Sequence, residues 1–465
     1  MCCGTLHRHS CFLLQASDAQ SRLPAGRQSR LPEGKIVPQS QHTALQKPAS
    51  KGYNYPSHAP TDFVTRRSNG WKSPENSVCD TPSHKIFSRY EVLMRSNLAL
   101  LLTTVTAALA CEARSTAAAD PQYSAEGITI PAATVDEPIR KQFSLEAAQN
   151  YLEQGALAWK RSRNCIACHT TGTYVQLRPS LSPVLGTPPQ ELREFLVEQV
   201  NAAHGTSIEE LKKGIKPTEV AYMAQGMAEW DAHVAGKLSP ETRSALSLLL
   251  KLQSADGSWG NTNCWPPFES SNYQAATVAA LAIAAAPGFT RDLAPEQAQV
   301  VEKLVKYLQT QPAPHDYGRL LLLWTSNHMP KLLSTEQRQA IIEMLWSHQQ
   351  PDGGWSIRTF STPEKWGGGN RAQKLRAETE FKQPPSDGHQ TGLVVFVLRQ
   401  ANVSATDPRI QRAVQWLKSN QRQSGRWWTR SLNTDNYHFI TYSGTFYPLL
   451  ALYHCNAITS VSQAK

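Results

Sequence analysis

Three stretches in the second half of the chain share a run of apolar residues at helical spacing, followed by a polar turn. They are LLLKLQSADGSWG ending at Gly260, MLWSHQQPDGGWS ending at Ser356 and WLKSNQRQSGRWW ending at Trp428. Each run predicts a helix that stops at a glycine just before a tryptophan. A repeat of this kind predicts stacked copies of one helical unit.

A second, more apolar helix is predicted after each of these turns. The three runs begin at Asn272, His389 and Gly444. Helices that are apolar on nearly all sides are buried, whereas helices with one apolar stripe lie at the surface. The pattern therefore predicts hairpins made of one outer and one inner antiparallel helix.

Hairpins of this type predict an all-α fold of the (α/α)6 toroid type, with a central cavity. Four hairpins are expected from Pro240 onward, and the upstream segments supply about two more. We expect a repeat domain over residues 236–457. Residues 137–235 form either the first hairpins of the toroid or a small separate domain.

The three turns resemble the QW repeats of the squalene-hopene cyclase and prenyltransferase superfamily, over Pro240 to Cys455. The resemblance implies the toroid, although one fold hosts many activities. Cyclases of this family protonate an alkene with an aspartic acid in a D-x-D-D-T-A motif. The prenyltransferase branch uses a zinc set of Asp, Cys and His. No comparable set is found, since Cys264 and His389 are far apart in sequence.

The stretch that corresponds to the cyclase acid motif is Asp387-Gly388-His389-Gln390-Thr391. Asp387 and Thr391 match it, but His389 and Gln390 replace the two central aspartates. Neither replacement is an acid strong enough for alkene protonation, so an enzymatic activity is left undecided, with Asp387 and His389 as candidate catalytic residues. Helix capping is the alternative role of Asp387 and Thr391. Other polar residues near the starts of inner helices are expected either to line the cavity or to be structural: Tyr273, Gln274, Tyr317 and Tyr442.

The stretch RNCIACHTTGTY, residues 163–174, places Cys165, Cys168 and His169 in the order C-x-x-C-H. Two thiols at this spacing reach the vinyl groups of a haem, and the following histidine ligates the iron, so the motif predicts covalent haem c. A zinc half-site, a redox dithiol and a local disulfide are the alternatives. The surrounding residues also look like a short cytochrome c. The motif lies where an outer helix is expected to turn into an inner one.

The sixth iron ligand is predicted to be Met223, at a downstream distance that suits a distal methionine. Met227 and His204 are rivals, and helix packing is the alternative role of both methionines. A thioether ligand favours electron transfer, whereas an open position favours binding or peroxide chemistry.

A short positive start at Met94 and Arg95 followed by apolar residues up to Ala110 predicts a signal peptide over 94–119. Residues 1–93 have no sustained periodicity and are expected to be a disordered leader or the result of too early a start codon. We expect a periplasmic or secreted protein. A lipoprotein anchored through Cys111 is less favoured, because the residues before Cys111 match a lipidation signal only in part.

The charge of the chain is concentrated near its start. Residues 1–119 hold 14 Lys or Arg and 7 Asp or Glu, so +7 of the net +10 lies there. A basic chain therefore gives no reason to expect a nucleic-acid partner. Cys264 and Cys455 would be free to pair in an oxidising compartment.

These features lead to three hypotheses. The first is an exported haem c protein on a squalene-cyclase-like toroid, with a redox protein as partner. The second is a terpenoid-cyclase-like enzyme acting on an apolar small molecule in the cavity. The third is a non-catalytic binding toroid, and peripheral association with a membrane is compatible with all three.

Overall fold

Twelve main helices alternate between two layers in the computed structural model, which describes residues 119–260, 266–367 and 370–459. The predicted leader, nearly all of the predicted signal peptide, Cys111 and Cys264 lie outside these residues. The main helices are α1 Leu145–Arg163, α2 Thr171–Leu177, α3 Gln190–His204, α4 Lys216–Trp230, α5 Pro240–Lys251, α6 Asn272–Ala285, α7 Pro295–Thr310, α8 Asp316–His328, α9 Thr335–Ser347, α10 Gly388–Gln400, α11 Pro408–Ser419 and α12 Ile440–His454.

Shorter elements connect these helices. Strands β1 Tyr123–Ala125 and β2 Ile128–Ile130 form an antiparallel hairpin. The short helices are Pro179–Leu181, Ser182–Leu185, Ile208–Leu211, Asp231–Ala235, Phe289–Arg291, Ile357–Phe360, Pro363–Trp366, Asn370–Ala377 and Thr379–Lys382. Among the described residues, no helix combines the length and the apolar character needed to cross a membrane.

The even-numbered helices form a closed inner ring. Helix α2 contacts α4, and contacts continue through α6, α8, α10 and α12 back to α2. Each odd-numbered helix packs outside against an even-numbered neighbour. The prediction of an all-α toroid of six hairpins is therefore confirmed. The helices of residues 137–235 and those of 236–457 take part in the same ring.

Burial follows the two layers. Every residue of α2 is buried, as is the whole of α10 from Gly388 to Leu398. Outer helix α7, in contrast, buries only Leu304 and Leu308. The runs that are apolar on nearly all sides are thus the inner helices, and the runs with one apolar stripe are the outer helices, as the sequence pattern predicts.

The tryptophans of the repeated turns hold the ends of the outer helices. We call residues 253–259, 349–355 and 421–427 the Gln–Trp turns. In each turn the indole N–H of a fully buried tryptophan donates to the carbonyl ten residues earlier: Trp259 to Leu249 (3.0 Å), Trp355 to Leu345 (2.7 Å) and Trp427 to Leu417 (2.7 Å). These bonds add a side-chain donor to carbonyls in the last turn of each outer helix, where the regular helical bonds end.

The glutamines of the same turns join neighbouring hairpins. Each side-chain amide donates to the glycine carbonyl four residues later and to a carbonyl at or near the start of another outer helix. The second acceptors are Val300 for Gln253, Arg409 for Gln349 and Ser144 for Gln421, each at 2.9 Å. Because Ser144 is the N-cap of α1, the third turn links the last hairpin to the first.

Residues 119–140, which we call the N-terminal strap, lie against the third Gln–Trp turn. The buried Arg426 guanidinium bonds to the Glu137 carboxylate at 2.7 Å, to the Gln122 side chain at 3.0 Å and to the carbonyl of Pro131 at 2.9 Å. A buried arginine needs such a full set of acceptors, because leaving its charge unpaired would be costly. The strap is therefore a fixed part of the fold.

A candidate cofactor site at the mouth of the toroid

A cavity of about 390 Å³ lies where the inner helices begin. Successive helices of a hairpin run in opposite directions, so all the inner helices run the same way and their first residues meet at one end, here called the mouth. The cavity is lined there by apolar side chains such as Ile166, Ile215 and Phe268. Cys165, Cys168 and His169 line it too, together with Glu219, Glu269 and Phe439.

The C-x-x-C-H motif occupies the turn between outer helix α1 and inner helix α2. Helix α1 ends at a left-handed C-cap, Asn164, with φ of 49°. The hydroxyl of Thr171 then donates to the carbonyl of Cys165 at 3.0 Å, and that of Thr173 to the carbonyl of Cys168 at 2.6 Å. The threonines after the motif thus fix the backbone that carries both thiols.

The two thiols of the motif have different surroundings. Cys165 is exposed and Cys168 is half-buried, and neither forms a disulfide. Burial and the neighbouring Glu269 carboxyl raise the pKa of the Cys168 thiol well above its usual range. Burial also raises the pKa of Glu269 to about 7; the hydrogen bond with Cys168 opposes this rise and the charge of Glu219 adds to it. Cys168 is consequently a thiol, not a thiolate, at neutral pH.

The imidazole of His169 is held on three sides. Its ring stacks on Phe439 with centroids 4.6 Å apart and planes 7° apart, and meets the edge of Trp159 at 4.8 Å and 89°. Its Nδ1 lies 2.8 Å from the hydroxyl oxygen of Thr170. Burial lowers the pKa of His169 to about 4, so the ring is neutral at physiological pH, which is the form that binds metals.

The candidate distal ligands lie away from this cavity lining. Met223 is buried on α4, one helical turn beyond Glu219, and is not among the described residues that line the cavity. The sulfur of Met227 accepts a hydrogen bond from Arg193 at 2.8 Å. His204 ends outer helix α3 and pairs with the Ser244 hydroxyl at 2.7 Å. Met223 as the sixth ligand stays a prediction.

Asp387 caps inner helix α10. One carboxylate oxygen accepts from the backbone N–H of Gln390 at 2.9 Å and the other from that of Ile357 at 2.7 Å. The Thr429 hydroxyl adds a third bond at 3.3 Å. Burial raises the pKa of Asp387 to about 6. The bond from Gln390 is the helix cap, and the bonds from Ile357 and Thr429 join the start of α10 to two other segments.

His389, on inner helix α10, is fully buried between inner helices α8 and α12. Its Nδ1 lies 2.7 Å from the Ser443 hydroxyl and its Nε2 lies 3.3 Å from that of Tyr317. Burial lowers the pKa of His389 to about 3, so a neutral imidazole fills this position. The adjacent Gln390 side chain is buried, and neither of its amide atoms has a hydrogen-bond partner.

The other polar residues that the sequence singles out near the starts of inner helices contact different parts of the protein. Gln274 donates to the Tyr222 hydroxyl at 3.1 Å, and that hydroxyl donates to the carbonyl of Phe268 at 3.2 Å, directly beneath the mouth cavity. Tyr442 donates to a carbonyl of α1. The ring of Tyr273 lies 6.0 Å from Tyr307 of outer helix α7.

Several residues of the site are absent from the sequence-based prediction. The motif is surrounded by Glu219, Glu269, Trp159, Phe439 and Thr170. All of these except Thr170 are either distant from the motif in the sequence or stand at no recognisable spacing from it. The run of threonines after His169 is the one local signal that could have been used, because threonine hydroxyls commonly bond to nearby backbone groups.

The residues present fit a covalently attached haem c. Such a group requires two thiols at this spacing and a neutral histidine next to the second thiol, all facing one apolar space. Cys165, Cys168 and His169 meet these requirements. In the described part of the chain, no three His, Cys, Asp or Glu side chains are grouped in a way that could hold a metal ion by themselves.

Comparison with known proteins gives similarities to solved structures but none to a family model or a curated sequence. One similar solved structure is the apo form of the type II terpene cyclase MstE from Scytonema, at 12% identity and a TM-score of 0.37, covering 66% of this chain and 98% of that one. A similarity this distant carries no argument about activity.

Proposed function

We propose that this protein carries one covalent haem c at the mouth of the toroid and acts in electron transfer or other haem-linked redox chemistry. The observation that carries the proposal is that Cys165, Cys168 and His169 line the same apolar cavity. When bound, haem supplies a one-electron redox centre. Cys165 and Cys168 would provide the two thioether sulfurs, and His169 would ligate the iron through Nε2.

The environment of the motif supports this assignment. Phe439 and Trp159 keep the His169 ring in one orientation, and burial keeps it uncharged. Most of the cavity lining is apolar, and such a shell influences the potential of a redox centre. The exposed Cys165 leaves one edge of the site open to a redox partner protein.

We also propose that the protein acts outside the cytoplasm, in the periplasm or after secretion. Haem c is attached after export, and the sequence from Met94 to Ala119 has the features of a signal peptide. Release after cleavage is favoured over anchoring through Cys111.

A second candidate is a toroid that binds an apolar small molecule without catalysis. The apolar lining of the mouth cavity favours it. A terpenoid cyclase is disfavoured, because the Asp387 carboxylate already accepts two backbone N–H bonds and a hydroxyl bond. Those bonds stabilise the ionised form, whereas alkene protonation requires a carboxylic acid that is free to donate.

Covalent haem is tested by exporting the full chain, and a chain begun at Met94, in cells that contain a haem c maturation system. We expect a haem band that persists on a denaturing gel and a pyridine haemochrome spectrum of the c type. The Cys165→Ala, Cys168→Ala double variant should lose both signals. A matched control, Cys455→Ala, removes a buried thiol far from the motif and should retain both.

Folded wild-type protein without a c-type spectrum would overturn the haem proposal. In that case, binding of an apolar fluorescent probe to the mouth cavity would favour the second candidate. Phe268→Ala enlarges the cavity and should change the affinity of that probe, whereas Trp346→Ala, on the outer layer, should not.

A further inference from the structure

The mouth cavity is lined by acidic side chains but not by basic ones. Glu219 of α4 and Glu269, shortly before α6, both line it, and no lysine or arginine does so among the described residues. Burial lowers the pKa of His169, which also lines the cavity, to about 4, so this ring is uncharged at neutral pH. The walls of the cavity therefore carry a negative charge whenever either carboxyl is ionised.

The two carboxyl groups lie close enough to influence each other. Burial raises the pKa of Glu269, which is 3% exposed, to about 7; the hydrogen bond with Cys168 opposes this rise and the charge of Glu219 adds to it. Burial also raises the pKa of Glu219, and the charge of Lys216 opposes that rise. Lys216 is bonded to Glu210 at 2.6 Å and does not line the cavity. A positive charge inside the cavity would favour the ionised form of both carboxyls.

Aromatic rings form part of the same lining. Phe268, Phe439 and Tyr437 all border the cavity. Phe268 directly precedes Glu269 in the chain, and the ring of Tyr437 stacks on that of Phe439 with centroids 5.3 Å apart and planes 7° apart. The face of an aromatic ring attracts a cation, and proteins recognise quaternary ammonium groups with sets of such rings. The lining thus combines the two kinds of group that attract an organic cation.

We propose that the mouth cavity of the haem-free protein binds an organic cation with an apolar body, such as a quaternary ammonium compound. Glu219 and Glu269 supply the opposite charge, and Ile166, Ile215 and the aromatic rings surround the apolar part. The inference names the ligand class of the second candidate function, a toroid that binds an apolar small molecule, and rests on that function. The volume of about 390 Å³ lies within the range of small-molecule sites.

Calorimetric titration of the full-length, haem-free protein at pH 8 tests the inference with a matched pair of compounds. Phenyltrimethylammonium is the cation, and tert-butylbenzene is an uncharged compound of the same shape. At this pH most of the Glu269 carboxyl is ionised. We expect the wild type to bind the cation more tightly than the uncharged compound, because only the cation is attracted by the carboxylates.

Two glutamine variants identify the source of this preference. Glu269→Gln and Glu219→Gln each remove one charge at nearly constant size. Each should weaken binding of the cation by about tenfold and leave binding of the uncharged compound unchanged. Glu219 is half-buried, so its variant still tests the inference if the buried position of Glu269 does not tolerate glutamine. The exposed Glu146→Gln is the control and should leave both affinities unchanged.

Substitution of Tyr437 measures the contribution of an aromatic ring. This side chain is 39% exposed, so the fold should tolerate its replacement. Tyr437→Leu should weaken binding of the cation by about two- to fivefold, because an aliphatic side chain has no negative face. Tyr437→Phe keeps the ring and should restore the affinity of the wild type.

The results separate this inference from the function on which it rests. Equal or tighter binding of tert-butylbenzene by the wild type, or unchanged binding of the cation by both glutamine variants, overturns the inference and leaves the binding of apolar molecules in place. Binding of neither compound overturns the second candidate function as well. Protein loaded with haem at Cys165 and Cys168 should bind neither compound, because haem would fill the same cavity. Undiminished binding of the cation by loaded protein would place it elsewhere and overturn the inference.

Discussion

The motif turn, residues 164–170, and the three Gln–Trp turns occupy the same place in the repeat, between an outer and an inner helix. In the Gln–Trp turns the side chains bond back to the protein: the tryptophan to its own outer helix and the glutamine to a neighbouring one. In the motif turn, Cys165, Cys168 and His169 face a cavity, and threonine hydroxyls hold the backbone instead. The same position in the repeat therefore stabilises the fold in three hairpins and forms part of a candidate cofactor site in another.

The two kinds of turn therefore differ in the role of their side chains. Those of the Gln–Trp turns stabilise the fold, and those of the motif turn line the candidate cofactor site. Replacing a buried, hydrogen-bonded side chain costs stability, whereas replacing an exposed one such as that of Cys165 has little effect on the fold. Substitutions in the two kinds of turn should consequently affect different measurements.

The largest loss of stability is expected for Trp427→Ala. The substitution empties a fully buried site and leaves the Leu417 carbonyl without its indole donor, so the free energy of unfolding should fall by about 3–5 kcal/mol. Denaturant unfolding monitored by circular dichroism measures it. Trp428→Ala is the matched control, because that neighbouring ring is only half-buried, and an equal loss in both variants would contradict the special role of the turn.

Gly425→Ala should follow, with a loss of about 2 kcal/mol or more. Gly425 has φ of 95°, where an alanine is strained by about 1–2 kcal/mol. A Cβ would in addition lie 2.2 Å from the Ala147 carbonyl oxygen of α1. Gly127→Ala shares a positive φ, of 74°, but its Cβ meets nothing within 4 Å. Similar losses for both would show that contact between the turn and α1 is unimportant.

A pH-dependent effect is expected at the mouth. The folded protein raises the pKa of Glu269 to about 7 from an ordinary value of 4.5, so the folded state holds the extra proton. Its contribution to stability is therefore greatest below pH 4.5 and is lost as the pH rises towards 7. Glu269→Gln should flatten this part of the stability curve of haem-free protein, and the exposed Glu146→Gln should leave it unchanged.

The smallest effect on stability is expected for Cys165→Ala. This thiol is exposed, so the free energy of unfolding of haem-free protein should change by less than about 0.5 kcal/mol. The visible spectrum of the haem-loaded variant should nevertheless shift, because one thioether is missing. A large loss of stability would place the motif turn in the same class as the Gln–Trp turns.

The sequence predicts the toroid well because each hairpin carries its own pattern. Trp259, Trp355 and Trp427 recur at equivalent positions, and the inner helices are recognisable from their apolar character alone. The location of the motif between α1 and α2 follows from the same repeat. These features are local, so a single chain is enough to find them.

The surroundings of the motif could not be predicted in the same way. Phe439 reaches His169, and Glu269 reaches Cys168, only through the folding of the ring, and no spacing in the sequence connects them. Met223 has a suitable distance along the chain, but the helical turn between it and Glu219 places it beyond the cavity lining. Met223 as the distal ligand stays a prediction.

The bond between Gln421 and the N-cap of α1 has a consequence for the order in which the fold forms. The last hairpin must reach the first one before the ring closes, and contacts between such distant parts of a chain form late. Phe439, which stacks on His169, belongs to that last part. Cys165, Cys168 and His169 are therefore free of this last contact until the ring closes, so that under the proposed function a haem would meet them before Phe439 covers the histidine.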